Sequence, residues 1–384
     1  MIVIPFAGTA AVAALLAWLF SLEGTKGLGE WGWNRVYFAI AALGLLPLVL
    51  ALCALAIAAA AAGALAFGAS AVIFGFIIAK AHALGQPPPR LMLVDPGKGL
   101  ATADSGTLRL ALSSDPHWGA LTAGGAARLT ILKGVAAERP ARDAFFILGD
   151  NTELGMENGQ WAEEARDLAS NLGTLAVRPL LGNHDAAIDG QYHYRAYFFP
   201  KEFRTDSGSP YWYSIDAGCA RLVVLDLLWG AEDFTVSKRA WLERTLAAIP
   251  EDKRIIVLSH CFFVSSGYVY RHRPWFDHYG TLGVVAPILE KYKVDLVVQG
   301  HNHYMEFLER NGVAYATVGS MGGKLDPEPT HVSPWSKWLL RGTWGWLDLE
   351  VTVAGISLVF KDSSGKTVHE ERVSATRRSL GSMP

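Results

Sequence analysis

The sequence predicts an α/β domain preceded by an N-terminal transmembrane helical region, and three observations carry that reading. Charge is partitioned: residues 1–83 hold only Glu23, Lys26, Glu30, Arg35 and Lys80, while the rest has the mixed charge of a globular domain. Beyond residue 105, short apolar β-type runs recur, and each ends in a cluster of Asp, Asn or His. Helix-prone stretches, Trp161 to Leu172 and Lys238 to Ala248, separate some of these runs, as βαβ units require. The 384 residues are 51% hydrophobic with net charge −2. That balance excludes a disordered chain and gives no basic surplus for nucleic acid. Cys53, Cys219 and Cys261 show no metal or redox spacing, so free buried thiols are expected.

The first 84 residues read as the membrane anchor. Ile2 to Phe20 is uncharged and close to the ~20 residues that cross a bilayer, and no Lys or Arg precedes it as in a signal peptide. From Val36 to Ala79 there are 44 residues without a charge. That is about twice one span. Three spans are expected, near residues 2–20, 36–58 and 60–80, with the turn around Gly63 and with Trp31 and Trp33 at an interface. Lys26, Arg35, Lys80 and Arg90 then share one side, which places the globular domain in the cytoplasm. Two spans would put those residues on opposite faces. Residues 85–106 form the linker, where Pro87, Pro88 and Pro89 exclude a continuing helix.

From residue 107 to 384 the chain is the globular domain. Leu108 to Leu112 runs into Asp115-Pro116-His117, Phe145 to Leu148 into Gly149-Asp150-Asn151, and Ala176 to Leu181 into Gly182-Asn183-His184-Asp185. Ile255 to Leu258 runs into Ser259-His260, and Val294 to Val298 into Gly300-His301-Asn302-His303. Chemistry delivered at strand carboxyl ends is what an open α/β sheet provides. In extended backbone, residues two apart share a face, so Asp115 with His117 and His301 with His303 can each grip one ion. Imidazole and carboxylate without thiolate suit Zn, Mn or Fe rather than calcium or a structural zinc finger.

These five blocks, in this order, resemble the signature of the calcineurin-like metallophosphoesterases over roughly Leu108 to Gly323. The resemblance implies a β-sandwich flanked by helices, an α/β/β/α arrangement, holding two divalent metal ions (Mn, Zn or Fe). It implies that Asp115, His117 and His303 hold the first ion and Asn183, His260 and His301 the second, with Asp150 bridging. It implies further that His184 contacts the substrate phosphate and protonates the leaving oxygen, and that Asp185 orients its imidazole. The block Tyr211 to Asp216 and the strand after it resemble purple acid phosphatases, which carry an iron-binding tyrosine three residues after the bridging aspartate. Glu153 occupies that place here, so their charge-transfer iron site is not expected. Ser259-His260-Cys261 lacks the second histidine of many relatives, a change expected to touch substrate contacts more than metal retention.

Two aromatic and basic stretches flank the expected pocket, around Tyr192 to Phe199 and Tyr268 to Trp275. His193, Arg195, Arg271 and Arg273 are the candidate substrate contacts, since guanidinium suits phosphate and aromatic faces suit an acyl chain, sugar or base. Asp226 reads as packing, Ser320 to Gly323 as a turn that could approach the site, and the tail to Val368 as a terminal hairpin turning at Ser363 to Lys366. Trp335 to Arg341 has the composition of a membrane-interface surface. The expected protein is a membrane-anchored phosphoesterase acting on a phosphorylated lipid or lipid-linked headgroup. Soluble nucleotides or phosphoproteins are the alternative substrates, and a membrane-bound scaffold that retains its metal site is the alternative of another class.

Overall fold

The structure is a computed structural model that describes residues 99–100, 106–120, 124–187, 190–199 and 203–374, together with Val72. The expected spans at 2–20, 36–58 and 60–80 and nearly all of the linker lie outside the described residues. Among the described residues no helix is long and apolar enough to cross a membrane.

Each apolar run that ends in a polar cluster is a strand. β1 (Thr107–Ser113), β2 (Ala144–Ile147) and β3 (Ala176–Pro179) pair in parallel. β13 (Gly345–Thr352), β14 (Gly355–Asp362) and β15 (Thr367–Ser374) extend that sheet antiparallel from β1, in the order β15-β14-β13-β1-β2-β3. The turn between β14 and β15 is the expected terminal hairpin. The second sheet runs β12-β10-β11-β9-β6-β5-β4. It comprises β4 (Tyr213–Ala217), β5 (Ala220–Leu225), β6 (Arg254–Ser259), β9 (Leu296–Gln299), β10 (Met305–Arg310), β11 (Val313–Val318) and β12 (Ser336–Leu340). In it β5, β6, β9 and β11 are parallel, so β6 and β9 present their polar clusters at one end.

The period of two along these strands separates two cores. Leu222, Val224, Ile256, Leu258, Leu296 and Val298 join the first sheet's Leu110, Leu112 and Phe146 in the core between the sheets. Val223, Leu225, Ile255, Val257 and Val297 turn to the opposite face. There they pack on α4 (Val236–Ala247) and on α6 (Ala286–Lys291), which directly follows α5 (Tyr279–Val284). The Thr235 side chain accepts from the Lys238 amide at 3.3 Å and caps the start of α4. The first sheet is covered by α1 (Gly125–Ala137), α2 (Asn158–Leu172) and α3 (Gln191–Phe198). α2 buries Trp161, Ala165, Leu168 and Leu172, a stripe at helical spacing, and ends at Gly173, whose φ of 58° leaves the right-handed helix. Helices, sheet, sheet and helices therefore form the expected four layers. Cys219 and Cys261 are free and buried.

Asp226 accepts from Lys238 Nζ at 2.8 Å, an ion pair that joins the end of β5 to α4 and agrees with a packing role. Trp346 is fully buried on β13, as strand alternation expects.

Candidate metal centre

The five loops after β1, β2, β3, β6 and β9 meet in one place, and their backbone is strained to do so. Asp115, His117, Asp150 and His301 all have positive φ, between 47° and 68°. L-residues rarely adopt this region, and such outliers persist where the surrounding structure over-determines them. Glycine is needed beside them at two points. Gly149 has φ 94°, and a Cβ on Gly182 would collide with the Asp150 amide and carboxylate. The motif glycines let β2 and β3 deliver their side chains to a shared point.

Three clusters of possible ligands result: Asp115, His117 and His303; His117, Asp150 and His184; Asp150, His260 and His301. Asp150 faces both sides. Its Oδ2 lies 3.7 Å from His117 Nε2, and its Oδ1 lies 3.3 Å from His260 Nε2. Asp115 Oδ1 is 3.2 Å from His303 Nε2 and 3.8 Å from His117 Nε2. Asn183 Oδ1 is 2.9 Å from His260 Nε2. All seven expected ligands converge.

The outward nitrogens set the tautomers. His117 Nδ1 donates to Glu153 Oε2 at 2.8 Å, His260 Nδ1 to the Leu148 carbonyl at 2.8 Å, and His303 Nδ1 to the Lys324 carbonyl. Carbonyl and carboxylate oxygens only accept, so each of these rings holds a proton on Nδ1 and, once Nε2 gives up its own, turns an Nε2 lone pair inward. His301 is reversed, its Nδ1 lying 3.0 Å from His260 Nε2. His260 Nε2 thus faces Asn183 Oδ1, Asp150 Oδ1 and His301 Nδ1 together, and no single proton satisfies that set. Asp115 Oδ1 and His117 Nε2 are buried with no hydrogen-bond partner among the described residues. Orphaned lone pairs of nitrogen and carboxylate oxygen facing one another fit divalent cations, and the centre is built to hold two of them.

The electrostatics agree. Burial opposes charging the imidazoles, yet Asp115 and Glu153 outweigh it at His117 and raise that ring to about 10. Asp150 does the same at His260 and Asp115 at His303, each raised to about 9. Burial disfavours the Asp115 and Asp150 carboxylates, but neighbouring histidines, His303 for Asp115 and His260 for Asp150, hold both below the ordinary range. His301 is depressed by burial and by the His260 charge. Without metal the site holds protons where cations belong.

The environment of His184 corrects one expectation. Its Nδ1 lies 2.7 Å from the Glu153 carbonyl and its Nε2 4.0 Å from Asp150 Oδ2. Asp185 does not orient this ring as expected. Its Oδ2 accepts from the Asn151 and Gly182 amides at 3.1 and 2.9 Å, and its Oδ1 from the Thr152 amide at 2.9 Å. A buried carboxylate takes the nearest backbone donors, so Asp185 ties the β2 and β3 loops together; burial and the Asp150 charge push it up to about 6.

Sequence reasoning identified Glu153 only as a missing tyrosine. It holds two histidines at once, His117 through its carboxylate and His184 through its carbonyl. Burial disfavours its charge, but the His117 hydrogen bond outweighs that and lowers its pKa. Replacing Glu153 by Ala is expected to weaken metal binding about 10–100-fold, as read by metal titration. Unchanged affinity would remove it from the centre.

Ser320 to Gly323 does approach the site. Ser320 Oγ and the Gly323 amide both donate to the Asp115 carbonyl at 2.9 Å, fixing the loop that bears two ligands. The candidate substrate contacts separate into two groups. α3 buries Tyr194, Tyr197 and Phe198, whose rings pack on Trp161; His193 is buried beside them, and Arg195 lies over Phe203. The buried rings of that stretch are core packing rather than the expected pocket wall, while Tyr192 and Arg195 are exposed. Arg271 and Arg273 are exposed on the hairpin of β7 (Tyr268–Tyr270) and β8 (Arg273–Trp275), and Trp275 at its base packs on His301 with ring centroids 4.8 Å apart. Trp229 and Phe262 complete an aromatic wall around His301, at 5.5 and 5.8 Å.

Comparison with known proteins agrees with this geometry. Rabbit (Oryctolagus cuniculus) tartrate-resistant acid phosphatase type 5 is 29% identical over 142 residues, 35% of this chain and 41% of that protein. The chain therefore spans less than half of that relative's length. Among solved structures, purple acid phosphatase PPD1 from yellow lupin (Lupinus luteus) has a TM-score of 0.60 at 18% identity, covering 72% of this chain and 55% of that one. GAP50, the anchor in the inner membrane complex of Plasmodium, has a TM-score of 0.53 at 19% identity, covering 71% of this chain and 90% of that one. At such identities the two structures show a shared fold. The pattern of the calcineurin-like phosphoesterases matches residues 108–305, just over half of the chain. Because all five strand-end blocks fall inside that match and meet at one centre, the chain belongs to the calcineurin-like phosphoesterase family.

Proposed function

We propose that the protein is a membrane-anchored, two-metal phosphoesterase that hydrolyses a phosphate ester at the bilayer surface, on a phosphorylated lipid or lipid-linked headgroup. The observation that carries the reaction is the meeting of seven ligand-type side chains, Asp150 among them, in adjoining clusters, with the buried Asp115 Oδ1 and His117 Nε2 lacking a hydrogen-bond partner among the described residues. Asp115, His117 and His303 would hold one ion, Asn183, His260 and His301 the other, and Asp150 would lie between them. When bound, a pair of Mn, Zn or Fe ions supplies charge neutralisation for phosphoryl displacement and a water of lowered pKa.

The chain's own residues do the rest. With Nδ1 committed to the Glu153 carbonyl, His184 has only Nε2 to offer the site. Burial lowers its pKa, so it rests neutral, and the negative charge of an arriving phosphate favours a proton on Nε2. From there the proton can pass to the leaving oxygen. Asp185 keeps the two loops bearing Asp150 and Asn183 in register, and the Trp229, Phe262 and Trp275 wall excludes water on the His301 side.

The uncharged runs Ile2 to Phe20 and Val36 to Ala79 support the anchor, and the placement of Lys26, Arg35, Lys80 and Arg90 supports a cytoplasmic domain. An anchor favours a membrane substrate by raising its effective concentration, worth about 10²–10⁴-fold. Deleting residues 1–84 should spare p-nitrophenyl phosphate hydrolysis and lower turnover of phosphorylated lipid in vesicles at least about a hundredfold. Equal loss on both substrates would remove the lipid from the proposal. Full retention on both would favour a soluble nucleotide or phosphoprotein.

A further inference from the structure

The hairpin of β7 and β8 has an unusual tip. Tyr270 pairs with Arg273, which leaves Arg271 and His272 as a two-residue turn, and both have positive φ, 47° and 65°. Such turns strongly favour Asn-Gly or Gly-rich pairs, because other side chains are disfavoured in the left-handed region. Arg and His hold these positions against local preference, and a local outlier of this kind points to a role for the side chains.

The surroundings say what kind of role. Residues 267–275 include Arg271, His272 and Arg273, all exposed, and no acidic residue. Val269 and Tyr270 are 57% and 47% exposed, and Val332, next to the His331 that bridges to Gly267, is 59% exposed. Asp277 accepts from the Ser265 amide and Ser333 Oγ, and Asp326 from Tyr268 and His303. Exposed valine and tyrosine beside arginine, with no opposing acid in the hairpin, suit the headgroup region of an anionic bilayer.

The base of the hairpin is tied to the metal centre on both sides. Tyr268 Oη donates to Asp326 Oδ1 at 3.1 Å, while Asp326 Oδ2 accepts from the His303 amide at 2.8 Å; Trp275 packs on His301. Whatever the tip rests on therefore fixes the direction of the centre. Residues 80–98, between the second uncharged run and Gly99, could reach about 65 Å if extended. A reach of that length does not by itself choose the face that meets the bilayer, and a second contact would.

We propose that the β7–β8 hairpin docks the domain on an anionic lipid surface, with Val269 and Tyr270 among the headgroups and Arg271 and Arg273 against lipid phosphates, turning the metal centre toward the membrane. This rests on the membrane-bound reading above. The test uses the full chain with Cys53→Ser and Val269→Cys, labelled with an environment-sensitive fluorophore and reconstituted with vesicles of phosphatidylcholine alone or with phosphatidylglycerol. Docking gives a blue shift and quenching by nitroxide-labelled lipid in the anionic vesicles. Each arginine near such a surface is worth about fivefold in partition, so Arg271→Glu with Arg273→Glu should lower the docked fraction at least about tenfold. As a measurement that needs no charge reversal, 0.5 M NaCl should release the probe, with the Debye length reduced to several ångströms. A probe at Val353, 59% exposed on the β13–β14 turn, should stay in water. Equal signals from both probes, or a Val269 probe that stays in water with both lipids, would overturn the proposal. So would a shift that appears only with an added acidic protein. Turnover of p-nitrophenyl phosphate in the same samples reads the metal centre separately: turnover without docking sinks the hairpin's role, and docking without turnover sinks the hydrolase.

Discussion

Replacing Asp150 by Asn lowers hydrolysis of p-nitrophenyl phosphate and bis-p-nitrophenyl phosphate by at least about 10³-fold, while far-UV circular dichroism stays unchanged. Asp150 is the carboxylate shared by both sides of the centre, reaching His117 and His184 through Oδ2 and His260 through Oδ1. Asparagine keeps the shape and an oxygen for the His184 amide, which Asp150 Oδ1 accepts at 2.8 Å. What it removes is the negative charge that would hold two cations close together. Loss of metal charge stabilisation is worth several kcal/mol, and each 1.36 kcal/mol is tenfold in rate. Turnover unchanged in Asp150→Asn, with metal still bound, would defeat the two-metal account.

Part of that prediction is legible in the sequence. Polar residues at strand carboxyl ends lie along one edge of a sheet, so five blocks in order, each after an apolar run, gather at one place; which of them hold each ion, and that Asp150 is shared, is what the resemblance to the calcineurin-like metallophosphoesterases implies. Helix-prone composition also marked α2 and α4. Contacts between a loop and a distant segment left no such trace. Glu153 is 36 residues from His117, and which acceptor His184 would choose depends on how the β2 and β3 loops close. A carboxylate adjacent to a histidine in sequence, as Asp185 is to His184, is not thereby its partner; backbone amides nearer in space captured it. The aromatic stretch at 192–199 looked like a pocket wall by composition alone, and its burial against Trp161 could be read only once α2 and α3 were placed together. The similar stretch at 268–275 went to the site because its pairing is with itself, as a hairpin beside His301.

Chelating the metals from the purified protein abolishes turnover and lowers the melting temperature, and the gap between the loaded and stripped forms widens as pH rises from 7 to 10. Metal supplied at about 1,000 times its dissociation constant stabilises the folded state by about 4 kcal/mol. For a domain of this size that is roughly 8–16 °C. The pH dependence follows from what replaces the cations. In the stripped protein His117 is raised to about 10 and His260 and His303 to about 9, against about 6.5 when unfolded. A group whose folded pKa is raised contributes stability that is fully present below the unfolded value and is lost as pH climbs through the folded one. The stripped protein should therefore weaken progressively up to pH 9–10, as the protons screening Asp115 and Asp150 from one another leave. His184 and His301 have the opposite sign, since both are depressed by burial, so they cost stability as pH falls below about 6.5. The loaded protein escapes the alkaline loss, because its carboxylates face cations whose charge does not titrate in that range. Differential scanning fluorimetry at pH 7, 8, 9 and 10, with and without chelator, measures both curves. A gap that stays constant with pH would mean that protons do not stand in for metal at these histidines. No gap at any pH would mean that the centre holds no metal that matters to the fold.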